Sequence, residues 1–227
     1  MGPEARVAVY YAPAVDDPLF AAGATWLGRD PESGAPAPQP DLPGIEEITA
    51  DPCLYGFHAT LKPPMRIAPG WTWFNVLDAA HRLAERIAPF DLPPLAVTDL
   101  RGFLALRERE PSAALYGLAD RCVEELDAFR APPTEAELAR RRQARLTPEQ
   151  SAMLERWGYP YVFGTFFFHM TLTRRLNDVE KAAIMPAAEA HFARALALPR
   201  RVTDICLFTQ SAPGQPFQIA ERVPLEG

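Results

Sequence analysis

His58 and Thr60 stand two residues apart in the stretch GFHATLKPP, which begins at Gly56, and His169 and Thr171 stand two apart in FFHMTLTRR, which begins at Phe167. His-x-Thr-Leu therefore occurs twice, at positions 58 and 169, in a chain of 227 residues with only four histidines. Imidazole is the side chain whose ordinary pKa lies nearest neutrality, so two of them can divide the work of a general base and a general acid. A threonine hydroxyl beside each can donate a hydrogen bond to oxygen atoms on which negative charge builds in a transition state. Opening a cyclic phosphodiester with water needs those parts, and it needs no metal or other cofactor. His58 and His169 are thus the candidate catalytic pair, with Thr60 and Thr171 as candidate phosphate binders. No Cys/His/Asp cluster has metal-ligand spacing, and no metal site is expected.

Other residues have weaker claims. In a regular strand Lys62 falls on the face of His58, where it would meet phosphate, unless Pro63 redirects the chain. Tyr10 faces either the cleft or the core by strand alternation. Arg140, Arg141, Arg142 and Arg145 read as a solvated helix face from which one side chain reaches a second phosphate. His81 falls on the polar side of a helix and His191 has no motif around it, so neither is given a role. Phe166 to Phe168 read as buried strand.

The histidine strands need a frame. Val7 to Ala12 reads as a first strand, with Val7, Val9 and Tyr11 on one face and Ala8 and Tyr10 on the other. A helix follows, capped by Asp17, begun by Pro18 and closed by Gly28. From Arg29 to about Asp51 prolines and glycines suggest a long loop. Tyr55 to Lys62 reads as a strand stopped by Pro63 and Pro64. Val76, Leu77, Ala80, Leu83, Ala84 and Ile87 form a helical stripe. Residues 95–108 read as two strand segments bent near Gly102, and Leu115 to Phe129 as a helix. Capping boxes at Thr134/Glu137 and Thr147/Gln150 predict a helical insertion over 135–157. YVFGTFFFHMTLT, from Tyr161, is strongly β-prone, with the second His-x-Thr strand near 166–173. Residues 178–196 read as a helix kinked or split by Pro186, and two strands finish the chain.

The repeat extends beyond the tetrapeptide. After each His-x-Thr-Leu comes a helix and then Val-Thr-Asp-aliphatic, VTDL from Val97 and VTDI from Val202. This order predicts an α+β fold over 1–227: one bilobal domain whose two pseudo-symmetric lobes, antiparallel sheets with flanking helices, each bring one His-x-Thr strand to a central cleft. At 48% hydrophobic residues the chain can bury such a core. A net charge of −6 argues against coating extended nucleic acid, while leaving room for a small phosphorylated ligand. Cys53, Cys122 and Cys206 read as reduced thiols, and neither an apolar leader nor a membrane-spanning run is present. A monomeric cytoplasmic protein without membrane partners is expected.

The paired motifs resemble those of the 2H phosphoesterase superfamily, which includes RNA 2′,3′-cyclic phosphodiesterases and RNA ligase-like enzymes. YYAP, TWLGRD, YGFHATLKPP, ELARRR, WGYPY and FHMTLT further resemble a branch of phosphonate-metabolism proteins associated with carbon–phosphorus lyase genes. The resemblance implies catalysis by His58 and His169 with Thr60 and Thr171 on phosphate, and a metal-independent phosphodiesterase acting on a small cyclic phosphate. Two alternatives stay open: a non-catalytic nucleotide- or phosphosugar-binding module, and RNA end-processing by the same groups.

Overall fold

The computed structural model describes Gly2, residues 4–142 and residues 145–227, although the side chains of residues 136 and 140–142 are outside the description. The elements run β1 (Arg6–Tyr11), α1 (Pro18–Leu27), α2 (Ile45–Tyr55), β2 (Ala59–Met65), α3 (Trp73–Ala84), β3 (Phe90–Leu92), β4 (Leu95–Leu100) and β5 (Phe103–Glu108). They continue with α4 (Ala113–Glu125), α5 (Glu135–Arg142), α6 (Pro148–Trp157), β6 (Met170–Arg175), α7 (Asp178–Leu196), β7 (Arg200–Val202), β8 (Asp204–Gln210) and β9 (Gln218–Pro224). Single 3₁₀ turns lie at Asp127–Phe129 and Phe163–Thr165.

Seven strands form one sheet in the order β4-β5-β6-β2-β1-β8-β9, all pairs antiparallel, and β3 pairs with β7 apart from it. The repeat is visible in that order. β1, β2 and β4 correspond to β5, β6 and β8, and the central pairing joins Ala59 to Met170, which occupy the same place in the two motifs. A local twofold axis passes between them. VTDL begins within β4, on the edge next to β5, and VTDI leads into β8, next to β1. Each half of the sheet is therefore completed by a strand from the other half of the chain.

Val7, Val9 and Tyr11 enter the main core with α1, α3, α4 and α7, while Ala8, Tyr10 and Ala12 join a smaller cluster with Cys206, Phe208 and Phe217. Strand alternation alone separates these two sets. Trp26 of α1 donates from Nε1 to the Leu172 carbonyl (3.0 Å), which ties the helix to the back of β6. Asp17, Pro18 and Gly28 cap, start and close α1 as expected. Both capping boxes form. Arg101 and Gly102, both at positive φ, make the two-residue turn between β4 and β5.

Four expectations are corrected. The proline-rich loop ends early, because Ile45, Ile48, Thr49 and Pro52 bury one side of α2 at helical spacing. Tyr55 closes that helix, so the first His-x-Thr strand begins at Ala59 and runs through Pro63 and Pro64 to Met65. None of YVFGTFFFH is strand, and β6 begins only at Met170. Thr165 Oγ1 donates to the Pro160 and Val162 carbonyls (2.7 and 2.8 Å) and accepts from Val162 N (3.1 Å), holding a 3₁₀ turn against β propensity. Finally, α7 runs from Asp178 to Leu196 with Pro186 inside it, so the helix is not split there.

Candidate active site

The two motifs meet at the seam between β2 and β6. With Ala59 opposite Met170, the antiparallel register puts Thr171 opposite His58 and Thr60 opposite His169. Alternation turns all four side chains to the face that carries Tyr10, and sends Ala59, Leu61, Met170 and Leu172 into the core. Among the described residues, Ala59–Met170 is the one ladder pair between β2 and β6.

Each histidine is tethered in the same way. His58 Nδ1 lies 2.8 Å from the Gly56 carbonyl and His169 Nδ1 3.1 Å from the Phe167 carbonyl. A carbonyl only accepts, so each Nδ1 carries the proton and each Nε2 is left for chemistry. His58 Nε2 also approaches the Thr60 hydroxyl at 3.3 Å. Gly56 ends α2 with φ +77, a conformation suited to glycine, and a Cβ there would meet Pro31 at 2.9 Å. The helix end thus hands a carbonyl to His58.

Burial dominates the titration of both rings. It lowers the pKa of His58 to about 4, against a raising hydrogen bond to Gly56, and the charge on His169 pushes the same way as burial. His169 is also lowered, by burial first and then by Arg107, with Phe167 and Glu108 opposing. Mutual repulsion through space means that one proton on the pair resists a second.

Two cavities open beside the rings. One of about 360 Å³ is bounded by His58, Thr60, Thr171, Tyr10, Arg6 and Tyr55. The other, of about 460 Å³, is bounded by His169, Phe167, Arg107, Tyr161, Gln150 and Phe103. Tyr159, in the connection after α6, borders both. The Tyr10 ring stacks on His58 with centroids 3.7 Å apart, and Phe167 stacks on His169 at 4.7 Å. Burial raises the Tyr10 pKa well above its ordinary value, keeping the phenol neutral.

Of the residues expected in the site, His58, Thr60, Thr171 and Tyr10 border the first cavity and His169 borders the second. Lys62 borders neither. A bulge sets both Leu61 and Lys62 across from Val9, so Lys62 leaves the face of Thr60 for the core side. There its ammonium donates to the Val123 carbonyl (3.0 Å) and pairs with Asp127 (3.3 Å), and burial lowers its pKa to about 8. Arg140, Arg141 and Arg142 carry the expectation of a second phosphate contact, but their side chains lie outside the described residues; Arg145 is exposed. His191 packs α7 against α1, bonding the Ala22 carbonyl at 2.9 Å, and His81 is exposed.

Sequence reasoning missed Arg107 and Tyr159. Arg107 stands opposite His169 by extension of the Ala105–Thr171 and Leu106–Met170 pairs, a register readable only once the strand order is known. Among the described residues no three His, Cys, Asp or Glu side chains gather as a metal site, and no helix is long and apolar enough to cross a membrane.

A family model described as "Protein of unknown function (DUF1045)" matches residues 60–218. The chain belongs to the DUF1045 family. It is 42% identical over 231 residues to a protein of Janthinobacterium sp. (strain Marseille), and 35% identical over 222 residues to one of Laribacter hongkongensis (strain HLHK9). Both relatives are named ribose 1,5-bisphosphate phosphokinase PhnN, and the matches cover 98% and 96% of this chain. The chain spans about half of their length, 51% in each case. Among solved structures, this DUF1045 chain is similar to E. coli LigT complexed with 3′-AMP (15% identity, TM-score 0.45, 98% of each chain). A second is E. coli LigT complexed with NADP+ (16% identity, TM-score 0.44, 100% of each chain).

Proposed function

We propose that the chain hydrolyses a small cyclic phosphodiester, using His58 and His169 as its acid–base pair. The observation that carries this reading is the local twofold at Ala59 and Met170, which supports two equivalent His-Thr pairs on one face with both Nδ1 atoms engaged. One Nε2 accepts a proton from water as its oxygen bonds to phosphorus. The other, protonated, gives its proton to the leaving ester oxygen as that P–O bond breaks, so one water is added and one ring-opened phosphomonoester results. Thr60 and Thr171 donate to the nonbridging oxygens. An anionic phosphate between two half-buried rings favours the single proton they must share.

The name of the longer relatives points to kinase chemistry, but the chain's two lysines, Lys62 and Lys181, follow Leu and Glu. Neither forms the Gly-Lys end of a phosphate-cradling loop, so the site here is read as a phosphoesterase site. Phosphorus NMR of nucleoside 2′,3′-cyclic phosphates and ribose cyclic phosphates, incubated with the protein and EDTA, tests the proposal. Ring opening that persists with EDTA is expected. No turnover of any member, or turnover abolished by EDTA and restored by one divalent ion, contradicts it.

A further inference from the structure

The cavity beside His169 differs in charge from the rest of this acidic protein. Its lining includes Arg101, Arg107 and Arg175 and contains no Asp or Glu. Among the described residues several other arginines are neutralised: Arg174 by Glu47 and Glu180, Arg222 by Glu32 and Asp204, Arg130 by Asp127, Arg200 by Asp17. Among the described residues, Arg101 and Arg175 have no ion pair with a carboxylate. Arg175 donates to the Arg101 carbonyl, which gathers the two cations at the β4–β5 turn. The ion pair of Arg107 is a loose one to Glu108 at 3.6 Å, and that carboxylate also accepts from Tyr116 at 2.7 Å.

Arg107 Nε and the neighbouring Glu108 Oε2 are both buried without a hydrogen-bond partner, so this ion pair does not satisfy either side chain fully. The Arg107 side chain keeps a third of its surface exposed (33%), so its outer N–H groups can meet a ligand oxygen. The guanidinium lies 5.9 Å from the centre of the Phe167 ring, which also contacts His169 and Tyr161. The arginine is therefore seated on the same aromatic wall as the imidazole, one strand away from Thr171. A planar guanidinium fork in a cavity lined by no carboxylate suits a phosphate, which it can meet with two hydrogen bonds.

We propose that this cavity is a second anion subsite, so that the substrate is a cyclic phosphate carrying another phosphate on the same small scaffold. The proposal rests on the phosphoesterase reading for the position of the attacked phosphate, but its test needs no turnover. Titration calorimetry compares adenosine 3′-monophosphate with adenosine 3′,5′-bisphosphate, which share the nucleoside and differ by one phosphate. The wild-type protein should bind the bisphosphate at least about tenfold more tightly. In Arg107→Met that preference should fall to within about threefold of unity, while Arg82→Met, which removes a charge from the exposed side of α3, should keep it. If Arg107→Met does not fold by circular dichroism, Arg101→Asn serves in its place, because Asn tolerates the positive φ of that turn; its preference should fall at least twofold. Equal affinities in the wild type, no binding of either ligand at millimolar concentration, or an unchanged preference in the folded arginine variant would each overturn the subsite. A preference that disappears with Arg107 while no cyclic phosphate is hydrolysed supports the subsite and rejects the hydrolysis instead.

Discussion

At the scale of residues, the site is two imidazoles whose shared tether decides their tautomer and whose burial decides their charge. An unperturbed pair would place both limbs of a pH–rate profile between about 5 and 8. Here both pKa values are lowered, that of His58 from 6.5 to about 4. The base must be neutral and the acid protonated, so kcat/KM should be bell-shaped with its falling limb below about 6.5, on the acid side of an unperturbed pair. Initial rates from pH 3.5 to 8 check this; a plateau reaching past pH 8 would contradict it. The limbs belong to the coupled pair and not to either ring. Thr60→Val and Thr171→Val keep strand shape and remove a donor. Each should lower kcat by about tenfold to a thousandfold, as loss of one oxyanion donor does. Wild-type kcat and KM in both would make these hydroxyls packing groups.

At the scale of elements, a single bulge separates what was legible from what was not. Alternation along β1, the caps of α1 and the repeated His-x-Thr frame are local patterns, and local patterns can be read from sequence. Lys62 was misplaced because alternation fails at Leu61, and the bulge is set by pairing with Val9 across the sheet. The spacing of Ile45, Ile48, Thr49 and Pro52 held the signal for α2, but Pro52 and the prolines before it hid it. The aromatic run before His169 reads as strand by composition, yet its rings are spent sideways, Phe166 on Tyr116 and Phe168 on Tyr11. Arg107 reaches the site through tertiary structure and leaves no local mark, and WGYPY, which holds Tyr159, does not tell where that ring goes. The corrected placement of Lys62 has a consequence: Lys62→Met should change kcat/KM by less than about threefold. Asp127 keeps both hydrogen bonds from Arg130, at 2.7 and 3.0 Å, so the variant should fold. A rise in KM of tenfold or more in the folded variant would return Lys62 to the substrate.

At the scale of the whole molecule, exchange of β4 and β8 between the halves makes one sheet out of two repeats, so neither half-site has a frame of its own. The half-buried pair also ties stability to pH. The unfolded chain protonates His58 near 6.5 and the folded one only near 4, so the unfolded state binds more protons between those values. Stability contributed by the neutral ring is therefore complete above 6.5 and is lost as pH falls toward 4, by at most about 3 kcal/mol. Urea unfolding should show a shallower decline over that window in His58→Asn than in the wild type; identical slopes would mean the ring is solvated.

The central claim, that the two motifs act as one acid–base pair across the dyad, is tested most directly by a four-enzyme cycle. kcat/KM is measured on one cyclic phosphate for the wild type, His58→Ala, His169→Ala and the double variant. Each single change should cost about a hundredfold to ten-thousandfold. The double variant should lose much less than the product of the two, because half of an acid–base pair has little left to contribute. A near-wild-type rate in either single variant, or fully multiplicative losses, would contradict a shared site and leave the histidines acting apart.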